Sequence, residues 1–544
     1  MPHGDDGRVP HGAAVACPDW QPAAPIGSHR LRGAHLSSDC QVASPFGSER
    51  HLVAYQAAPH HLILNWRDSP VLRKLLAHPR QYLKNWRDVS SLRTAARRVN
   101  TREISAVSVS SGRLLVLPCD PWTLDGSKGD EAMIQGLITK LRIDRPDLEV
   151  GVVVASDQAR ARAKVLGFAP IDAWDCGFEE AVRAMLVFGP ELMVTIGADV
   201  MDGYYSPLTT SKLLLLSDAM ARRGVRTIVS GFSFNASANP LVRDVFDELS
   251  ARIKLNVRDP ISFDRFQRFT RTPARLVADA AFLLEPRADF PSMAEAAAWV
   301  QAQRDLGNTV LGFNMHPMLI KNASGEQLAR LIDASATSIS AVAETRPVAF
   351  LFLPHDFRGK DGDDACLGPI FRAVSGRLGD RVRYDSTPIA AANLKALAGL
   401  IDGVVTARMH LAIAALGMGR PVASLTYQDK FQGLFAHFSY PEKFLLDPSG
   451  AADAQRLTTL LNDFVDNLPA LHRIVESALP QVKSISASQL SELATSTPSA
   501  ARLVEARSCH DTADKDDNAT THEPATTMTH REFPSLAKAR LQHY

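Results

Sequence analysis

No one sign of charge dominates this chain. Its 60 Lys and Arg offset 59 Asp and Glu, a formal net charge of +1 over 544 residues. A nucleic-acid-binding protein ordinarily carries a strong basic excess, so that class is disfavoured and only local basic patches remain open. No apolar run is long enough to cross a bilayer. Residues 1–12 lack the charged-then-apolar layout of a secretory signal. Cysteine is scarce and scattered, at Cys17, Cys40, Cys119, Cys176, Cys366 and Cys509, with no C-x-x-C pair and no metal-ligand spacing. These absences point to a reduced, cytoplasmic protein with no metal, rather than a disulfide scaffold. Hydrophobic residues at 45% and charged residues at 22% suit a globular protein with room for two or three domains.

Residues 1–60 and 490–544 are rich in small, polar and His residues with weak periodicity, and are expected to be disordered. Residues 61–104 are basic, with Lys and Arg recurring from Arg67 to Arg102 against Asp68, Asp88 and Glu103. Apolar residues return there at helical intervals, and Asn65-Trp66-Arg67-Asp68 is repeated as Asn85-Trp86-Arg87-Asp88. The pattern predicts a pair of helices packed on the main body. A second reading is a docking face for anionic lipid, which would make the protein peripheral at the inner membrane face.

From Arg113 onward, short apolar runs alternate with amphipathic helices. Strands are expected at 114–118, 149–155, 192–196, 226–232, 309–314, 348–353, 381–384, 403–406 and 421–425. Helices are expected at 132–141, from a Thr209 or Thr210 cap to Met220, at 239–253, 327–342 and 391–400, and from Leu411. This is the signature of parallel, doubly wound sheets. It predicts an α/β protein of two Rossmann-like domains, 105–290 and 305–485, facing a cleft at the carboxyl ends of their strands.

Four stretches fall at strand ends where such a cleft would lie. Gly126 to Glu131 is a glycine-rich turn at a helix start, suited to anions and including Gly129, Asp130 and Glu131. Gly197-Ala198-Asp199 leads a second turn through Asp202. Arg258 offers a planar fork, alternatively paired with Asp264, while Ser262 caps the next helix. Arg408-Met409-His410 joins a fixed cation to a titratable ring at one helix start. Downstream, Tyr427 and Lys430 fall at the same edge, with Lys430 read first as an ion-pair partner. Asp363 and Asp364 are read as a helix cap rather than a metal pair. His316 and His355 follow strands but show no triad or zinc spacing.

Taken together, residues from about Leu117 to Phe438 resemble the polysaccharide pyruvyl transferase family. The resemblance rests on Gly129-Asp130-Glu131, the turn at Gly197, Arg258-Asp259 with Ser262, and Asp279. It rests most on Arg408-Met409-His410 followed by Gly419-Arg420-Pro421 and then Tyr427 with Lys430. Two departures stand out: Gly197-Ala198-Asp199 replaces a triple glycine, and Met409 replaces Leu, a volume-conserving change. The resemblance implies a GT-B-like fold, phosphoenolpyruvate as donor and a saccharide diol as acceptor, with no cofactor; lipid-linked, polymeric and free acceptors all stay open. It implies donor contacts from Arg258, Arg408, His410 and the Met409 backbone. His410 is the expected acid and Asp199 or Asp202 the base. The competing readings are a nucleotide-sugar glycosyltransferase and a catalytically silent scaffold or glycan-binding protein.

Overall fold

A computed structural model describes residues 79–102, 111–124, 126–357, 362–426 and 430–494. The expected disorder at 1–60 lies outside the described residues, as does nearly all of the tail.

The first sheet contains β1 (Arg113–Leu117), β2 (Glu149–Val154), β3 (Ala169–Asp172), β4 (Leu192–Thr195), β5 (Arg226–Phe232), β6 (Lys254–Val257) and β7 (Arg275–Leu276). They lie in the order β3-β2-β1-β4-β5-β6-β7, and every pairing is parallel. The second sheet contains β8 (Thr309–Asn314), β9 (Val348–Phe352), β10 (Val382–Tyr384), β11 (Gly403–Thr406), β12 (Val422–Leu425) and β13 (Leu445–Leu446). Its order is β10-β9-β8-β11-β12-β13, again all parallel. These are the two expected Rossmann-like units. Their central strands read as unbroken apolar runs because helices cover both faces; Leu114 to Leu117 and Val348 to Phe352 are buried throughout.

Several local expectations are corrected. Of the pair of helices expected in the basic segment, one is described, Pro79–Thr101, and the first falls in residues 61–78, outside the described part. That helix buries Val89, Ala96 and Val99, and Arg93 ties it to Asp244 and Glu248. The helix expected at 132 begins earlier, as Lys128–Asp144, because Ser127 accepts the Asp130 amide as its cap. The next cap is Ser206, with Pro207 at the first helical position, rather than Thr209 or Thr210. The helix expected through Ile253 is cut to a 3-10 turn and Arg243–Asp247, and the Ser250 amide turns aside to Asp218.

A long helix, Ala454–Ser488, leaves the second sheet and returns to the first unit. There Ser486 Oγ donates to the Asp279 carbonyl, and Gln489 Oε1 accepts the Gly231 amide.

Candidate active site

In each sheet the strand order reverses once, between β1 and β4 and between β8 and β11. Loops leaving the carboxyl ends of strands on either side of such a reversal diverge and open a crevice. Both crevices contribute to one cavity of about 330 Å³. The first unit lends it Cys119, Asp130, Asp199 and Arg258; the second lends it His316, His355, Arg408, Met409, His410 and Lys430.

Arg408 caps the helix Met409–Gly417 through its backbone, and no side chain closes that helix end. Ser127, Ser156, Ser206, Asp259 and Ser324 close other helices, while those starting at Phe178, Met293, Asp364 and Ala391 also lack a side-chain cap. Arg408, Met409 and His410 line the cavity, so this helix start lies at it, where helix polarity favours an anion. The Arg408 guanidinium is held by Asp363 Oδ1, at 2.9 Å from Nε and 2.6 Å from Nη2, and by Asp356 Oδ2 at 3.2 Å. Asp363 stands at the N-cap position of helix Asp364–Leu378 as expected, but its side chain turns to Arg408 instead of to the helix amides. It also accepts Asn314 Nδ2 and the His355 amide, and makes no cap bond. Burial pushes its carboxyl up, with Arg408 opposing.

Arg258 is buried and pairs with Asp279 at 2.8 Å, not with Asp264, while its Nε donates to Ser233 Oγ at 2.8 Å. Asp259, rather than Ser262, caps the following helix. The Ser262 hydroxyl instead accepts the Phe234 amide. Asp279 also faces His410, with Oδ2 3.7 Å from Nε2. Burial alone would raise the Asp279 carboxyl, but Arg258 and His410 outweigh it and hold it well below the usual carboxylate range. Arg258, Asp279 and His410 thus stand in a row, with the Asp279 carboxylate between the guanidinium and the imidazole.

Gly129 explains why this ring fits. A Cβ at that position would overlap the His410 imidazole, so the first helical turn at 128–131 and the ring approach as only glycine allows. Gly197 stands behind the cavity wall, where a Cβ would strike the Ser230 carbonyl on β5. Glu131 is buried away from the cavity, bound to Lys128 and to the Ala391 amide. Asp130 does line it, bonded to Cys119 Sγ at 3.3 Å, and burial pushes its carboxyl up. Asp199 reaches across the cleft to Lys430. Burial opposes its charge, but Lys430, with Arg258 and His410, holds it well below the usual carboxylate range. Asp202 is buried outside the cavity, accepting the Tyr204 and Asn235 amides and Asn235 Nδ2. Tyr427 lies outside the described residues.

Two histidines set aside on spacing join the site. His316 Nε2 lies 3.1 Å from the Ala407 carbonyl, and the His355 ring stacks at 6.4 Å from that of His410. Burial pushes both well below the ordinary histidine value, helped by Arg408. The available signal was their position just past β8 and β9, the same edge that carries Arg408. Among the described residues no cluster of His, Cys, Asp or Glu is arranged to hold a metal.

Among curated proteins there is no match to this chain. Solved structures similar to it include the UDP-GlcNAc 2-epimerase of Neisseria meningitidis bound to UDP-GlcNAc, 11% identical, covering 70% of this chain and 99% of that one, with a TM-score of 0.45. A glycosyltransferase from Rickettsia africae is 11% identical over 71% of this chain and 99% of its own, with a TM-score of 0.44. The trehalose 6-phosphate synthase of Burkholderia multivorans is 11% identical over 75% and 100%, with a TM-score of 0.41. Likeness this distant says nothing about substrate. The family model for polysaccharide pyruvyl transferase matches residues 128–429, a span that opens at the turn cradling His410 and runs past Arg408. The chain belongs to the polysaccharide pyruvyl transferase family and is a transferase.

Proposed function

We propose that this transferase takes phosphoenolpyruvate as donor and leaves a pyruvate ketal on a saccharide. The observation carrying the reading is the open helix end at Met409, with Arg408 on it and the Arg258–Asp279–His410 chain facing it. Open amides and Arg408 suit the phosphate, and Arg258 suits the carboxylate. His410, charged and steadied by Asp279, gives a proton to the enol methylene, which becomes the methyl group. The adjacent carbon then forms bonds to two sugar oxygens and loses phosphate. One hydroxyl proton restores His410 and the other leaves with the phosphate. Asp130, whose carboxyl burial pushes up, is better suited to relay the second hydroxyl proton to the phosphate than Asp199, which Lys430 holds ionised. Asp202, buried outside the cavity, takes no part.

Ligand binding to the native state raises its stability by mass action, about 2.7 kcal/mol at a hundredfold excess over Kd. Phosphoenolpyruvate is expected to stabilise the wild type more than phosphate, pyruvate or nucleotide sugars do. His410→Gln keeps that shift and loses turnover, and Arg408→Lys weakens the shift because the fork is gone. A shift confined to nucleotide sugars would overturn the donor assignment, and normal turnover in His410→Gln would overturn the acid.

We also propose that the protein works inside the cell at the membrane's inner face, on a lipid-borne acceptor. In helix Pro79–Thr101 the exposed Leu83 (52%) and Trp86 (54%) stand among Arg80, Lys84 and Arg87, as an anionic interface prefers. No described helix is long and apolar enough to cross a membrane. Co-sedimentation with phosphatidylglycerol vesicles, but not phosphatidylcholine vesicles, is expected, and should weaken severalfold in Trp86→Ser. Equal binding to both vesicle types would refute it.

A further inference from the structure

The loop after β4 carries two tyrosines that the donor chemistry does not use. Tyr205 is 57% exposed and lines the cavity; Tyr204 is 38% exposed beside it. Their rings meet edge to face, with centroids 5.2 Å apart and planes at 89°. Aromatic surface exposed at a polar cavity offers an apolar face to a ligand bound there.

The pair is held firmly. The buried Asp202 accepts the Tyr204 amide at 2.8 Å and is itself fixed by Asn235. Gly203, at φ +67, makes the turn that a side chain would strain. From the second unit, Lys321 Nζ donates to the Tyr204 hydroxyl at 2.9 Å and lies 5.1 Å from its ring centroid. The Tyr205 hydroxyl points to Asp199 Oδ2 at 3.4 Å. Such a platform loses little entropy on binding.

A pyranose has an apolar face of C–H bonds and a rim of hydroxyls. Stacked on Tyr205, it would bury that face while its rim turned toward Asp199, Lys430 and His410. We propose that Tyr205, positioned by Tyr204 and Asp202, is the acceptor platform of this enzyme and holds a neutral hexopyranose at the cavity mouth. The proposal rests on the ketal-forming reading, because it takes the reacting hydroxyls to be those of the stacked sugar.

The test pairs two independent readouts. Saturation-transfer NMR with p-nitrophenyl gluco-, galacto- and mannopyranosides reports the platform, and the phosphoenolpyruvate thermal shift reports the donor site. In the wild type at least one hexoside is expected to show transfer to its ring protons. Tyr205→Ala should weaken that hexoside at least tenfold, Tyr205→Phe should keep it, and both should keep the donor shift. Equal hexoside binding in Tyr205→Ala, or no hexoside bound by the wild type, would overturn the platform. Loss of binding in Tyr205→Ala without any donor shift in the wild type would support the platform and refute the donor.

Discussion

Gly129→Ala is the sharpest probe of how this site is built. The added methyl would overlap the His410 ring, which must retreat by roughly 1 Å to restore van der Waals contact. Forcing an extra carbon into packed surroundings costs about 1–3 kcal/mol. The ring cannot retreat freely, because Asp279 and His355 stand beside it. A reacting group misplaced by about 1 Å loses roughly 100-fold in rate. Turnover should therefore fall about 100-fold while the donor thermal shift, which rests on the arginines, changes little. A double-mutant cycle isolates the cause: in a His410→Ala background the stability penalty of Gly129→Ala should vanish, since the ring is no longer there to be struck. An equal penalty in both backgrounds, or turnover within twofold of wild type, would refute the argument that Gly129 sets the position of His410.

Asp279→Asn leaves the buried Arg258 without its counter-charge and should cost about 3–5 kcal/mol by chemical denaturation at neutral pH. The folded Asp279 carboxyl lies below its unfolded value, so its contribution is complete above the ordinary carboxylate range and is lost as pH falls below that range toward the lowered folded value. The gap between wild type and Asp279→Asn should narrow under acid; a gap unchanged by pH would sink the assignment. Lys395 is buried, donates to the Ala281, Phe282 and Leu284 carbonyls, and burial pushes it down to about 7. The unfolded chain then holds the extra proton between about pH 7 and the ordinary lysine value near 10.4, so stability should rise with pH across that window. Lys395→Met should flatten the rise; a slope that persists would place its source elsewhere.

Both sheets were legible because a parallel strand covered on two faces must be apolar along its length, and few other elements read that way. Helix starts were less legible. Ser127, Ser206 and Asp259 each cap a helix one or more residues before the expected start, since a cap competes with nearby Ser and Thr that look equivalent in sequence. Arg258, Arg408 and His410 were visible from their places at strand ends. Their counter-charges were not. Asp279, Asp356 and Asp363 reach them only through tertiary folding, and Asp279 entered the sequence reading by family pattern rather than as a partner. His316 and His355 were passed over because a spacing test looks for local motifs, whereas these rings converge from separate strands.

The return of helix Ala454–Ser488 to the first unit has a consequence for biosynthesis. Asp279 faces His410, its backbone carbonyl is held by Ser486, and the β5 amide of Gly231 is held by Gln489. A ribosome makes the chain from its amino end, so the first sheet can pair long before those residues exist. The imidazole cradle therefore closes only when residue 489 has left the exit tunnel, and a nascent chain holding both sheets is still an unfinished catalyst.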